Sequence, residues 1–490
     1  MVFNSIDYLL FFPVIAVLNC IVPQKYRYVL LCAASLLFYF ISDASSLPVI
    51  IGEALFIYVM GMLLDYVSRG DRKVFLSKVI TAVAVCFLTG TLIAYKYLLN
   101  ITYPLGMSFF TLMAIAYVID VYRKKTFTEK NPLKMLLYIT FFPIVSSGPV
   151  ERTGNLLKQI DTGVGTDTEK IKKGLLEIAW GLFMKLVVAN RIALMTATVF
   201  EGYEGFRGIE IVIATVLFGF QIYCDFAGYS YMAIGSARVL GFELIDNFNA
   251  PYMSSSVPKF WRRWHMSLYG WLREYIYFPL GGSRCGTLRK YLNVMAVFVV
   301  SGIWHGEKLG FIFWGALNGI YVVATDIVTR SVKNRRSPAS DDVKGSKDVK
   351  GSKPDRSDRS SENPVRKVCG IILTFILVDY AWLFFKADSF RQGLLMSRTI
   401  ITDPGIGAIP LSELIKEFGG VYDIVLVLAG IALIIAFDVI KNRFKDVSAL
   451  IFSKPLVIRW GVYLVLLSLI IIFGLYGYSY EQTEFIYFDF

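Results

Sequence analysis

The chain has 490 residues, of which 56% are hydrophobic and only 18% charged; this excludes a water-soluble globular domain of ordinary composition and indicates a polytopic membrane protein. The formal net charge of +12 does not indicate nucleic acid, because Lys and Arg fall in short blocks between apolar runs rather than on one face. Six cysteines (Cys20, Cys32, Cys86, Cys224, Cys285, Cys369) are scattered without a CxxC pair, mostly in apolar runs where Cys acts as a small hydrophobe, so neither a disulfide framework nor a zinc site is expected.

The apolar runs predict an all-α protein of about twelve transmembrane helices, each near the length needed to cross roughly 30 Å of hydrocarbon. In chain order they cover 7–23, 28–42, 47–65, 78–96, 104–121, 174–199, 209–224, 290–305, 310–328, 368–385, 421–440 and 457–477. The first follows no basic leader and precedes no small-residue cleavage site, which is the pattern of an uncleaved anchor. Basic loops at QKYR, SRGDRK and RKK, in 151–173 and 330–367, and at KNRFK alternate with acidic or neutral ones at DASS and EGYEG. The positive-inside rule then puts both termini outside, in a bacterial type of cell (inner) membrane.

Two stretches fit that alternation only by entering the membrane without crossing it. LLYITFFPIVSSGPVER (136–152) carries two prolines and a glycine that interrupt a helix at membrane depth, and 225–289 mixes small, polar and basic residues; broken backbone is tolerated there only where protein or a water-filled cavity satisfies it. Residues 331–366 repeat DVKGSK in tandem and lack aromatic or long aliphatic side chains, so they are expected to be a disordered cytoplasmic linker between a 1–330 unit and the 367–490 helices with an aromatic tail.

Chemistry concentrates in two places. SSSVPKFWRRWHMSLYGWLREYIYF (254–278) reads as an interfacial helix with Trp261, Trp264, His265, Leu268, Leu272 and Ile276 on one stripe and Arg262, Arg263 and Arg273 projecting elsewhere. SGIWHG (301–306) puts His305, one of only two histidines, between two apolar runs. Two readings of His305 stand: a neutral ring tying two helices together through a backbone carbonyl, or a buried imidazole that accepts a proton from a hydroxyl during attack on an acyl thioester. Two histidines forty residues apart, with no carboxylate cluster, lack metal-ligand spacing. LGGSRCG (280–286) reads as a turn rather than an anion cradle, with Cys285 ranking below the histidines as a nucleophile. Asp120, Asp225, Asp246 and Asp379 border or enter apolar runs and are expected to make structural pairs.

PLGMSFFTLMAIAYVIDVYR (104–123), FFPIVSSGPVER (141–152), QIYCDFAGYSYMAIGSARVLGF (221–242), the 247–286 stretch around FWRRWH, and SGIWHG resemble, in that order, the signatures of the membrane-bound O-acyltransferase family, in its bacterial alginate O-acetyltransferase-like branch. The resemblance is strong to about residue 330 and looser beyond. It implies a helical fold with a funnel from each membrane face and His305 where they meet. By position, His305 is the family's essential histidine and His265 matches the one closing FWRRWH, while Arg262, Arg263, Trp264 and Trp304 are expected to bind the donor. The resemblance further implies an acyl thioester co-substrate (acetyl-CoA or an acyl carrier protein) and delivery to a cell-envelope polymer through an extracytoplasmic SGNH-type O-acetyltransferase. Met113, where the branch often has glutamine, and Ser283 with Cys285, where Asn and Lys are commoner, depart from the pattern.

FIYFDF (485–490) resembles the branch's aromatic tail. Tyr487 is expected either to relay the acyl group through its phenol or to anchor the last helix as an aromatic-belt residue. Two alternatives stay open, D-alanyl transfer to teichoic acid and, from another class, a transporter or flippase.

Overall fold

The computed structural model describes residues 1–490 apart from 69–72, 100–101, 337–362, 406, 408, 445 and 477–490. Tyr487 and most of the expected linker lie outside the described residues. The described part is helical, without a strand.

Four helices open the chain: α1 (Ile6–Ile21), α2 (Arg27–Asp43), α3 (Leu47–Ser68) and α4 (Lys73–Ile93). The next, α5 (Met107–Tyr122), has fourteen of its sixteen residues buried; a helix apolar on every side belongs inside the protein, and this one forms the centre. α6 (Pro132–Thr140) and α7 (Phe142–Val145) are one apolar element broken at Phe141, followed by the short α8 (Lys158–Thr162). α9 (Thr168–Leu182) continues through a π-helical stretch, Phe183–Ala189, into α10 (Asn190–Glu201), and α11 (Gly208–Val239) runs back beside it. The short α12 (Val257–Trp261) and α13 (Met266–Leu272) precede a hairpin of α14 (Thr287–His305) and α15 (Leu309–Arg336). The C-terminal group is α16 (Pro364–Lys386), α17 (Phe390–Thr402), α18 (Leu411–Glu417), α19 (Gly420–Phe444), α20 (Val447–Phe452) and α21 (Leu456–Phe473).

A helix lies within each of the twelve expected runs, and among the described residues nine helices are long and apolar enough to cross a membrane. α1 and α5 are shorter apolar helices. Two expectations need correction. The run expected at 209–224 continues as helix to Val239, so the break expected from Asp225 onward begins only after α11. The interfacial helix expected over 254–278 is three pieces, α12, α13 and a π-helical turn at Arg273–Tyr277. It breaks because the Met266 amide donates to the Asn247 carbonyl at 2.9 Å, a long-range partner that the local pattern does not reveal. The flanking helices also reach Arg336 and begin at Pro364, within the ends of the expected linker.

The small and polar residues that made α11 look broken are its packing surface. A Cβ on Gly174 would stand 2.5 Å from the Gly235 carbonyl oxygen, and one on Gly181 would stand 2.5 Å from that of Gly228. The two pairs follow one another along antiparallel helices, and next in line a buried ion pair joins Lys185 Nζ to Asp225 at 2.6 Å. Glycine at these positions lets the backbones approach closely enough for dispersion to replace the missing hydrophobic driving force between helices in lipid. Gly181→Ala is expected to lower the melting temperature of the detergent-solubilised protein, since overpacking costs about 1–3 kcal/mol. Gly461→Ala, whose Cβ would meet nothing within 4 Å, is expected to hold or raise it, as Ala replaces Gly in an exposed helix.

Candidate active site

His305 is the last residue of α14, 3% exposed. The tight return into α15 depends on small residues, because a Cβ on Gly302 would stand 2.4 Å from the Phe311 carbonyl oxygen and one on Gly306 would stand 2.7 Å from the Phe311 ring. Trp304, Trp314 and Phe385 surround the imidazole, each edge-to-face, at 5.0, 5.0 and 5.3 Å between ring centroids. The end of α14 is capped from the π-helical turn Ala94–Leu98 that follows α4. Lys96 Nζ donates to the Trp304 carbonyl at 2.6 Å and the Tyr97 hydroxyl donates to the carbonyls of Ile303 and Gly306, satisfying terminal carbonyls and placing a cation at the negative end of the helix dipole.

His265 comes from the opposite wall. It is 2% exposed and precedes α13 with φ +43 and ψ +52, a left-handed conformation that costs a non-glycine residue on the order of 1–3 kcal/mol. Asn247 holds it there. The Asn247 carbonyl accepts from the Met266 amide, its Oδ1 accepts from Ser267 Oγ at 2.6 Å and faces His265 Nδ1 at 3.4 Å, and its Nδ2 donates to Ser230 Oγ on α11 at 3.0 Å. With the proton on Nδ1, the lone pair of the ring is on Nε2. Ser267 Oγ in turn accepts from the Val150 amide at 3.0 Å, which ties in the broken 141–152 element. The Phe226 ring meets the imidazole edge-to-face at 4.6 Å.

The two histidines line one small cavity of about 20 Å³, together with Trp261, Trp264, Leu268 and Ser301. That is room for about one water molecule. The Trp304 ring touches both imidazoles, at 6.3 and 5.0 Å. Of the residues expected to bind the donor, Trp264 lines the cavity and Trp304 stands between the histidines. Arg262 is exposed, and Arg263 is half-buried with its carbonyl accepting from the Asn249 amide.

The other candidates are structural. Asp120 accepts from Thr153 Oγ1 and the Tyr275 hydroxyl, both at 2.9 Å; Asp225 pairs with Lys185, and Asp246 faces Lys441 at 3.9 Å. Asp379 differs, since its Oδ1 has no hydrogen bond among the described residues. LGGSRCG is a turn, with positive φ at Gly281 and Gly282, held by Asn293 Nδ2 to the carbonyls of Leu280 and Gly282. Met113 is buried in α5. Lys96, Tyr97 and Asn247 had not stood out in the sequence. A lysine near the end of an apolar run ordinarily snorkels outward, and a single Asn before PYM has no spacing signature.

One carboxylate stiffens this construction. Glu151 is fully buried, accepting from the Ile245 amide at 2.6 Å and from Asn155 Nδ2 at 2.8 Å, two residues from Asn247. Burial raises its pKa to about 7 from the ordinary 4.5, against these hydrogen bonds. The folded state therefore holds the proton more tightly than the unfolded chain, and Glu151's contribution is fully present below pH 4.5 and lost as pH rises through about 7. Thermal melts between about pH 6 and 8 are expected to fall with pH, and Glu151→Gln is expected to flatten the trend by at most about 1.4 kcal/mol per pH unit.

Residues 121–339 match the MBOAT, membrane-bound O-acyltransferase, family. A probable alginate O-acetylase of Pseudomonas fluorescens is 31% identical over 80% of this chain and 74% of its own length. A peptidoglycan O-acetyltransferase of Helicobacter pylori is 28% identical over 79% and 76%, and a teichoic acid D-alanyltransferase of Bacillus subtilis is 28% identical over 45% and 58%. With the two histidines meeting at one cavity in an all-helical membrane protein, these likenesses set the transporter reading aside: the chain belongs to the membrane-bound O-acyltransferase family and is an O-acyltransferase.

Proposed function

We propose that the protein moves an acetyl group from a cytoplasmic thioester, acetyl-CoA or an acyl carrier protein, across a bacterial cell membrane for O-acylation of a cell-envelope or exopolysaccharide polymer. His305 is the general base, His265 supports it from the facing wall, and Tyr487 is the relay. The observation that carries this reading is the convergence of the only two histidines of the chain on one small cavity. An aromatic, water-poor surround keeps an imidazole uncharged, as a base requires. Acetyl is favoured because relatives named for O-acetylation are matched over more of their length than those named for D-alanyl transfer.

In this mechanism the Tyr487 hydroxyl gives its proton to His305 as its oxygen attacks the thioester carbonyl. The tetrahedral intermediate collapses with loss of the thiolate, which takes the proton from the imidazolium and leaves as thiol. The tyrosyl ester is then passed to an extracytoplasmic SGNH-type transferase, and the resting phenol is restored. Trp264 and Trp304 shape the acyl end of the site, whereas Arg262 and Arg263 meet the phosphates of the donor.

Membranes supplied with labelled acetyl-CoA, or with an acyl or D-alanyl carrier protein, test the reading. His305→Ala is expected to reduce transfer by at least about a hundredfold, as loss of a general base does, while the protein still folds. Asn247→Ala is expected to slow transfer by roughly tenfold or more through misplacement of His265. Label should appear on the C-terminal peptide, be released by hydroxylamine, and be absent from Tyr487→Phe. Transfer that persists in His305→Ala, or label from the D-alanyl donor alone, overturns the assignment of base or of donor respectively.

A further inference from the structure

A second cavity, of about 540 Å³, opens between α9, α11, α19, α20 and α21 and is separate from the histidines. It has two chemistries. One side is apolar, formed by Leu433 and Phe437 of α19 and by Val465 and Leu466 of α21, helices whose outer faces carry large exposed apolar residues. The other side is a charged rim at the basic ends of the helices, which the positive-inside rule assigns to the cytoplasmic leaflet.

Every cation on that rim faces an acid. Lys173 Nζ is 2.7 Å from Asp446, Arg238 pairs with Glu177, and Lys441 Nζ is 3.9 Å from Asp246 while also donating to the Tyr231 hydroxyl at 2.9 Å. A balanced rim is not a site for a bare anion. One turn apart on α9, two buried polar atoms of opposite sense have no hydrogen-bond partner among the described residues: the acceptor Glu177 Oε2 and the donor Trp180 Nε1, on a residue 8% exposed. Both residues line the cavity. A buried indole N–H ordinarily has an acceptor, and leaving such groups unmade costs about 1–3 kcal/mol each.

We propose that this cavity binds one zwitterionic aminophospholipid from the bilayer. The ligand must offer an acceptor and a cationic donor within one headgroup and continue into apolar chains. Its ester or phosphate oxygens accept from Trp180 Nε1, its ammonium donates to Glu177 Oε2, and its acyl chains lie along α19 and α21. The far wall is Lys441, which also donates to the Phe248 carbonyl at 3.0 Å, so the lipid abuts the 246–248 segment that includes Asn247.

The test is native mass spectrometry of the full chain, released from membranes containing both phosphatidylethanolamine and phosphatidylglycerol. The wild type is expected to retain phosphatidylethanolamine in preference to phosphatidylglycerol. Gly461 borders the cavity and a Cβ there would meet nothing within 4 Å, so Gly461→Leu adds side-chain bulk at the site and is expected to lower phosphatidylethanolamine retention about tenfold, as is Trp180→Phe, which removes one hydrogen bond. Glu177→Gln is expected to weaken the preference for the amino headgroup. Equal retention of phosphatidylethanolamine by wild type and Gly461→Leu, or phosphatidylglycerol held as well as phosphatidylethanolamine by the wild type, overturns the proposal. Either result leaves the acyl-transfer reading untouched, since no histidine is involved.

Discussion

The side chain and carbonyl of Asn247 tie α11 to the turn that carries His265. Ser230 is on α11, Ser267 and Met266 begin α13, and His265 sits between α12 and α13 in a left-handed turn. In a membrane interior no water compensates an unmade hydrogen bond, so a break in a helix persists only where protein supplies the missing partners. Asn247 supplies them with one amide. The turn then swings the imidazole toward the end of α14 instead of letting 254–278 continue as one amphipathic helix. Ser267 extends the same network to Val150, and Glu151 returns it to Ile245, closing a loop of hydrogen bonds beside His265.

Glycine complements this polar framework. Backbone contact between α14 and α15 at Gly302, and again at Gly315, whose Cβ would stand 2.3 Å from the Phe298 carbonyl oxygen, makes the hairpin tight enough to press Trp314 against His305. Between α9 and α11 the same device brings Lys185 to Asp225, a pair both of whose charges are buried and which is tolerable only at close range. Helices on the periphery, such as α4 and α21, have no such contacts and instead present large apolar side chains to lipid.

Much of this was legible in the sequence because lipid imposes a simple rule: long apolar runs become helices, and Pro143 with Gly148 interrupts one of them. His305 was legible for the same reason, since an ionisable ring in an apolar run is costly and calls for a use, whereas its pairing with the WH of FWRRWH came from the family resemblance. What could not be read depended on distance in sequence. Gly228, Ser230 and Gly235 have the composition of a break and the role of a packing stripe, and only the facing Gly174 and Gly181 distinguish the two. The kink at His265 requires knowing that Asn247 lies beside Met266. Lys96 is a snorkelling lysine by its local pattern, yet it turns inward because the carbonyls of α14 end there.

Aromatic rings orient both imidazoles. Trp304, Trp314 and Phe385 meet His305 edge-to-face, and Phe226 meets His265 in the same way; each contact fixes a ring plane as a hydrogen bond to an acid would, without bringing a negative charge that would favour the imidazolium. A base for a hydroxyl nucleophile benefits from that choice, because its neutral form is the working one. Other aromatic side chains, Trp261, Trp264 and Phe298, line the space of about 20 Å³ beside the histidines. In the proposed reaction, orientation and desolvation of the base are therefore set together, by the packing of aromatic side chains around two imidazoles.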